Sequence, residues 1–141
     1  MIYLASPFSD ADGNVRQQRF EAACRVAANM MRAGHTVFSP VAHSYPLAQH
    51  GNLPDDWAYW ERADSEFLWC CDSVVVLALP GWHTSRGVRA EIAIAAELQK
   101  PISIAWETPW VDPVQAQEDA ERLAAMIGRA PAEETPGLCR A

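Results

Sequence analysis

The sequence predicts an α/β domain: a small Rossmann-like (flavodoxin-like) parallel sheet of four to five strands with helices on both faces. Three observations carry this. Short apolar runs alternate with helix-length amphipathic segments in the order β-α-β-α-β-α-β-α, a pattern whose strands run parallel. The central run, Val74, Val75, Val76, Leu77 and Leu79, is near-continuous and β-branched, as suits a strand covered on both sides. With 141 residues, 50% of them hydrophobic, the chain is long enough for one real core.

Taken in order, Met1 to Ala5 is a first strand ending in Ser6-Pro7-Phe8, and Ser9 to Asn14 is a polar loop. Val15 to Ala33 reads as a helix with Phe20, Cys24, Ala27, Ala28 and Met31 on one stripe, closed by Gly34. His35 to Ser39 is a second strand, stopped by Pro40. Val41 to Pro54 reads as a long loop, a length more often functional than idle, and so a candidate lid. Asp55 or Asp56 caps a helix reaching about Cys70. Ser73 to Leu79 is the central strand. Pro80-Gly81 stops it, and Thr84 or Ser85 caps the helix that follows, to about Lys100. Pro101 to Trp106 is a further strand, and Val114 to Ile127 a last helix. The domain spans residues 1–128, and the Pro/Glu/Ala-rich stretch 129–141 reads as a loose tail.

A net charge of −7 and a pI near 4.9 exclude broad nucleic-acid binding but leave room for a small anionic ligand held by local donors. No apolar stretch reaches membrane-spanning length, and Met1-Ile2-Tyr3-Leu4 starts a strand rather than a signal peptide. The expected location is cytoplasmic, with Cys24, Cys70, Cys71 and Cys139 reduced. No cysteine, histidine or carboxylate spacing suggests a metal site. There is no Gly-x-Gly-x-x-Gly, no Walker loop and no Gly-x-Ser-x-Gly elbow, so no cofactor is expected.

The helix after the central strand carries the anomaly on which the functional argument turns. With Ser85 as N-cap, Glu91 lies past the orphan N–H groups and belongs to no capping box. Its neighbours three and four away are Gly87, Val88, Ile94 and Ala95, none cationic. At about 100° per residue it falls on the side shared with Val88 and Ile92, facing protein or a cleft. It is either paired with a distant arginine or a catalytic carboxylate at the strand's carboxyl end, where open α/β sheets bind ligands. Asp64 is the second anomaly. It falls within the stripe Trp57, Trp60, Phe67, Leu68 and Cys71, where burial raises a carboxyl's pKa. Its alternatives are a structural hydrogen bond or a general acid.

Other candidates are weaker. Tyr3 either packs in the core or hydrogen-bonds a carboxylate, and Ser6 is either a turn serine or a holder of phosphate or sugar oxygens. Gly87 lets the first helical turn approach a ligand closely. His43 lies in the long segment after Pro40. Arg16, Arg19, Arg86 and Arg89 are placed to meet a phosphate or water, and Trp57, Trp60 and Trp82 to stack on a base or pack in the core.

With Tyr3-Leu-Ala-Ser6-Pro7 near the start and Gly81-x3-Ser85-x-Gly87-x3-Glu91-Ile92 later, the chain resembles the nucleoside 2-deoxyribosyltransferase superfamily, which includes the nucleoside 5′-monophosphate N-glycosidases. It is most similar to the DUF1937-type branch, through Ser39-Pro40-x2-His43-Ser44, Trp60-x3-Asp64, Cys71-Asp72 and Gly81-Trp82 leading to Glu91. The resemblance covers roughly residues 1 to 106. It implies cleavage of an N-glycosidic bond, with Glu91 as nucleophile on the anomeric carbon and Tyr3 orienting it. It places Ser6, Ser85 and Gly87 at the sugar's 5′ end or its phosphate. Pro7, Phe8, Arg19, His43, Gly81 and Trp82 are further candidate substrate contacts. It also implies homodimers or higher homo-oligomers.

The transferases carry Asp-Gly at the end of the third strand and an aspartate four residues on. Here those positions are Pro80-Gly81 and Ser85. A serine in place of that carboxylate suits a 5′-phosphate, which a carboxylate would repel. The expected substrate is therefore a (deoxy)nucleoside 5′-monophosphate, hydrolysed or used as a sugar donor, with Asp64 or His43 helping the base depart. The alternatives are a nucleotide-sensing module without turnover and a phosphoribohydrolase of the cytokinin-activating kind. The single glycine at Gly81 counts against the latter.

Overall fold

A computed structural model describes residues 1–128; the tail expected at 129–141 lies outside the described residues. Four parallel strands, β1 (Ile2–Ala5), β2 (Val37–Phe38), β3 (Ser73–Leu77) and β4 (Ile102–Ala105), form a sheet in the order β2-β1-β3-β4. Tyr3 pairs with Phe38 on one side and Val74 on the other, and Val76 pairs with Ile104. Five helices complete the domain: α1 (Gly13–Arg32), α2 (Pro40–Gly51), α3 (Trp57–Cys70), α4 (Arg86–Glu97) and α5 (Pro113–Ile127).

Strand parity divides the core in two. On one face Tyr3, Ala5, Val74 and Val76 pack with Leu68 of α3, Val88, Ile92 and Ala95 of α4, and Leu123 of α5. On the other, Leu4 and Leu77 pack with Ala22, Ala23, Val26 and Ala27 of α1. The buried face of α1 is therefore rotated from the stripe that the sequence predicts: Met31 is exposed and Val26 is buried. In α3, Asp64 and Leu68 are buried as expected, whereas Phe67 lies near the surface, stacked on Phe38 at 4.0 Å between ring centres.

One expectation is overturned. The segment expected as a loop is mostly α2. Ser39 is its N-cap, accepting from Ala42 N at 3.3 Å, and Pro40 occupies the first turn, where a missing N–H costs nothing. Asn52 ends it in the left-handed conformation, φ 51°. Pro46 lies inside the helix and masks its period in the sequence.

The chain order sets a switch point. From β1 the chain crosses by α1 to β2 on one side; from β3 it crosses by α4 to β4 on the other. A crevice must open where these connections part, at the carboxyl ends of β1 and β3. No helix of the described residues is long and apolar enough to cross a membrane.

Candidate active site

At the switch point lies a cleft of about 700 Å³. The end of β1 supplies Ser6, Phe8 and Asp10, α2 supplies Val41, Ser44 and Tyr45, and α3 supplies Trp57, Trp60 and Asp64. Gly81, Thr84, Ser85, Arg86, Gly87 and Glu91 close it from the β3–α4 side. Arg19 reaches it from α1.

Glu91 is 5% exposed on the core face of α4. Tyr3 Oη donates to Glu91 Oε1 at 2.7 Å, and Glu91 Oε2 has no partner among the described residues. Asp64 Oδ1 and Ser6 Oγ are likewise buried without partners. A buried polar atom left unpaired costs about 1–3 kcal/mol. Three of them line a single cleft, open to be satisfied by a bound ligand or by water.

Burial pushes Glu91 up to about 8; the hydrogen bond from Tyr3 opposes the rise and the negative charge of Asp64 adds to it. Burial alone lifts Asp64 to about 6. Tyr3 is held well above its ordinary value by burial and by the two carboxylates, so it stays a proton donor. Coupled carboxyls share protons, and this pair holds one between about pH 6 and pH 8.

The start of α4 forms a further wall of the cleft. Ser85 caps α4 and its Oγ accepts from Val88 N at 3.4 Å, leaving the N–H groups of Arg86 and Gly87 at the helix start. Arg86 is exposed on the cleft at the first helical position, where a cation opposes the helix dipole, and among the described residues no carboxylate pairs with it. Arg19 is bound more tightly. Its guanidinium donates to Ser9 O at 2.8 Å and Pro80 O at 3.1 Å and lies 3.8 Å from Asp10.

A family model matches residues 1–107: Domain of unknown function (DUF1937). The chain belongs to that family. No curated protein matches it.

Of the residues that the sequence singles out, this DUF1937 domain brings together Ser6, Phe8, Arg19, Asp64, Gly81, Ser85, Gly87 and Glu91, with Tyr3 beneath Glu91. Three stand apart. Pro7 is fully buried behind the cleft. His43 lies outside the lining, its ring 5.5 Å from those of Phe38 and Phe67. Trp82 faces away and donates to Asp119 Oδ1 at 3.0 Å. Gly87 has a packing reason as well as a ligand one: a Cβ there would lie 3.4 Å from the Trp57 ring. Ser44 and Tyr45, which follow the second strand, also line the cleft, but from a helix rather than a loop. Among the described residues no group of His, Cys, Asp or Glu is placed to hold a metal ion.

Proposed function

We propose that this chain cleaves the N-glycosidic bond of a (deoxy)nucleoside 5′-monophosphate by covalent catalysis. One observation carries the reading: a buried glutamate anchored through Oε1 to Tyr3, with Oε2 bare in a cleft at the switch point. Glu91 Oε2 attacks the anomeric carbon as the carbon–nitrogen bond breaks. The bonding pair leaves on the base nitrogen, which takes a proton from Asp64, the single proton of the carboxyl pair having passed there from Glu91 as the substrate binds. Water then attacks the same carbon and the ester bond to Glu91 breaks. The carboxylate returns, and Asp64 recovers a proton from the water. An acceptor base in place of water gives transfer. The start of α4, with Ser6, Ser85 and Arg86, takes the 5′-phosphate.

Chromatography of free base released from a panel of ribo- and deoxynucleoside 5′-monophosphates tests this. Release from one substrate is expected, with loss of at least a thousandfold in Glu91→Gln. Turnover that survives the substitution sinks the assignment. Pro80 stands where the transferases carry an acidic residue, which favours a second reading, a nucleotide sensor. Tight binding with no release from any substrate would select it.

A further inference from the structure

Trp82, a base-stacking candidate on sequence grounds, opens instead on a second cleft of about 490 Å³. It lies on the far side of the Pro80-Gly81 turn, facing the segment from Trp106 to Val111 and the start of α5. Its walls are fixed by Asp119, a carboxylate only 3% exposed. Asp119 Oδ1 accepts from Trp82 Nε1 at 3.0 Å and from Arg122 at 3.2 Å, and Oδ2 accepts from Trp106 Nε1 at 3.1 Å. Burial works against its charge, but these donors and Gln115 together hold it below the usual carboxylate range. Two indoles tied to one ionised carboxylate cannot turn freely, so the cleft is shaped before anything enters it. Trp110 stands at its edge, 89% exposed. An indole left in water beside a rigid aromatic wall is a platform for a second ring.

The two clefts share Gly81. Gly81 sits at φ 83°, and a Cβ there would lie 3.4 Å from Arg19 Nη2. Where the two clefts meet, at Gly81, the chain therefore carries no side chain, and the Arg19 guanidinium lies against it. In the proposed function the 5′ end of the substrate points to this junction. We infer that the substrate continues across it and is a 5′,5′-dinucleotide. The reacting half occupies the first cleft, the diphosphate crosses Gly81 beside Arg19, and the second base stacks on Trp106 and Trp110. Which half reacts rests on the glycosidase reading; the rigid tryptophan cleft does not.

The test compares base release by the full chain from a 5′,5′-dinucleotide and from the matching 5′-monophosphate, in wild type and Trp110→Ala. A KM lower by roughly tenfold for the dinucleotide is expected, the low end of what one stacked base contributes. Trp110→Ala should erase that advantage and leave monophosphate turnover and the melting temperature unchanged. Equal KM values in wild type, or an advantage that survives Trp110→Ala, would overturn the inference. If neither compound releases base, the glycosidase reading has failed and calorimetric titration of the same two compounds decides the second cleft. A tenfold preference for the dinucleotide, lost in Trp110→Ala, upholds the inference; equal affinities end it.

Discussion

Tyr3 Oη donates to Glu91 Oε1 at 2.7 Å, joining β1 to α4 across 88 residues of sequence. Both partners are buried, and the pairing is fixed by the sheet: Tyr3 lies opposite Val74 on the face that α4 covers. The hydrogen bond favours the ionised form of Glu91 and leaves its other oxygen to the cleft. Tyr3→Phe keeps the ring and removes the donor. Turnover should fall roughly 10–100-fold, with KM nearly unchanged, because the phenol does not line the cleft. The melting temperature should move by only a few degrees, the effect of losing one hydrogen bond. Steady-state base release with a parallel thermal melt checks both. Unchanged kcat would remove Tyr3 from the mechanism.

The carboxyl pair predicts a bell-shaped pH profile. In the free protein Asp64 ionises near pH 6 and Glu91 near pH 8, so between these values the pair's one proton rests on Glu91 and must pass to Asp64 as the substrate binds. Below about pH 6 both are protonated and no nucleophile exists, and above about pH 8 no proton is left for the base. Turnover should peak between these values. Asp64→Asn should lower kcat most for the poorest leaving groups. A rate that rises without limit toward pH 9 would exclude Asp64 as the acid.

The same burial should be visible as a pH-dependent loss of stability. Glu91 ionises near 4.5 in the unfolded chain and near 8 in the fold. As pH rises between these values the unfolded state sheds a proton that the folded state retains, so stability falls across the window and the full loss is present above it. At 1.36 kcal/mol per unit the loss reaches roughly 5 kcal/mol if nothing relaxes. Glu91→Gln, which has no charge to bury, should melt several degrees above wild type at pH 8.5 and close to it at pH 5. Melting curves at the two values decide. A variant less stable than wild type at pH 8.5 would mean that the carboxylate has a stabilising partner.

Glu91 and Asp64 were legible because each breaks a helical pattern: an acid on an apolar face with no cation three or four residues away. Asp119 also lies on a buried face, between Ala116 and Leu123, but with Arg122 three residues on and Glu118 and Glu121 beside it, it reads as a solvated ion pair. Two tryptophan N–H groups from elsewhere in the chain explain its burial, and pairings of that range are not written in local spacing. The four strands follow their apolar runs to within two residues at most ends. α2 was hidden by Pro40 and Pro46, although Ser39-Pro40 is itself a helix start. The side of a turn on which a residue emerges is equally unreadable, and Trp82 consequently turned out to face the second cleft.

Arg86 provides the test of what the 5′ end carries. It opens α4 against the helix dipole, in the cleft that Ser6 also lines, with no carboxylate partner among the described residues. A cation in that position loses stability unless an anion answers it. Arg86→Ala should therefore raise KM for a nucleoside 5′-monophosphate by roughly tenfold or more, the contribution of one charge-assisted contact, and leave KM for the free nucleoside unchanged. The substituted chain should melt no lower than wild type, since alanine suits the first turn better than an unpaired arginine. Kinetics on the matched pair of substrates, with and without the phosphate, read the effect directly. An equal rise in KM for both would place Arg86 on the sugar or the base instead, and no rise for either would leave the start of α4 without an anion to bind.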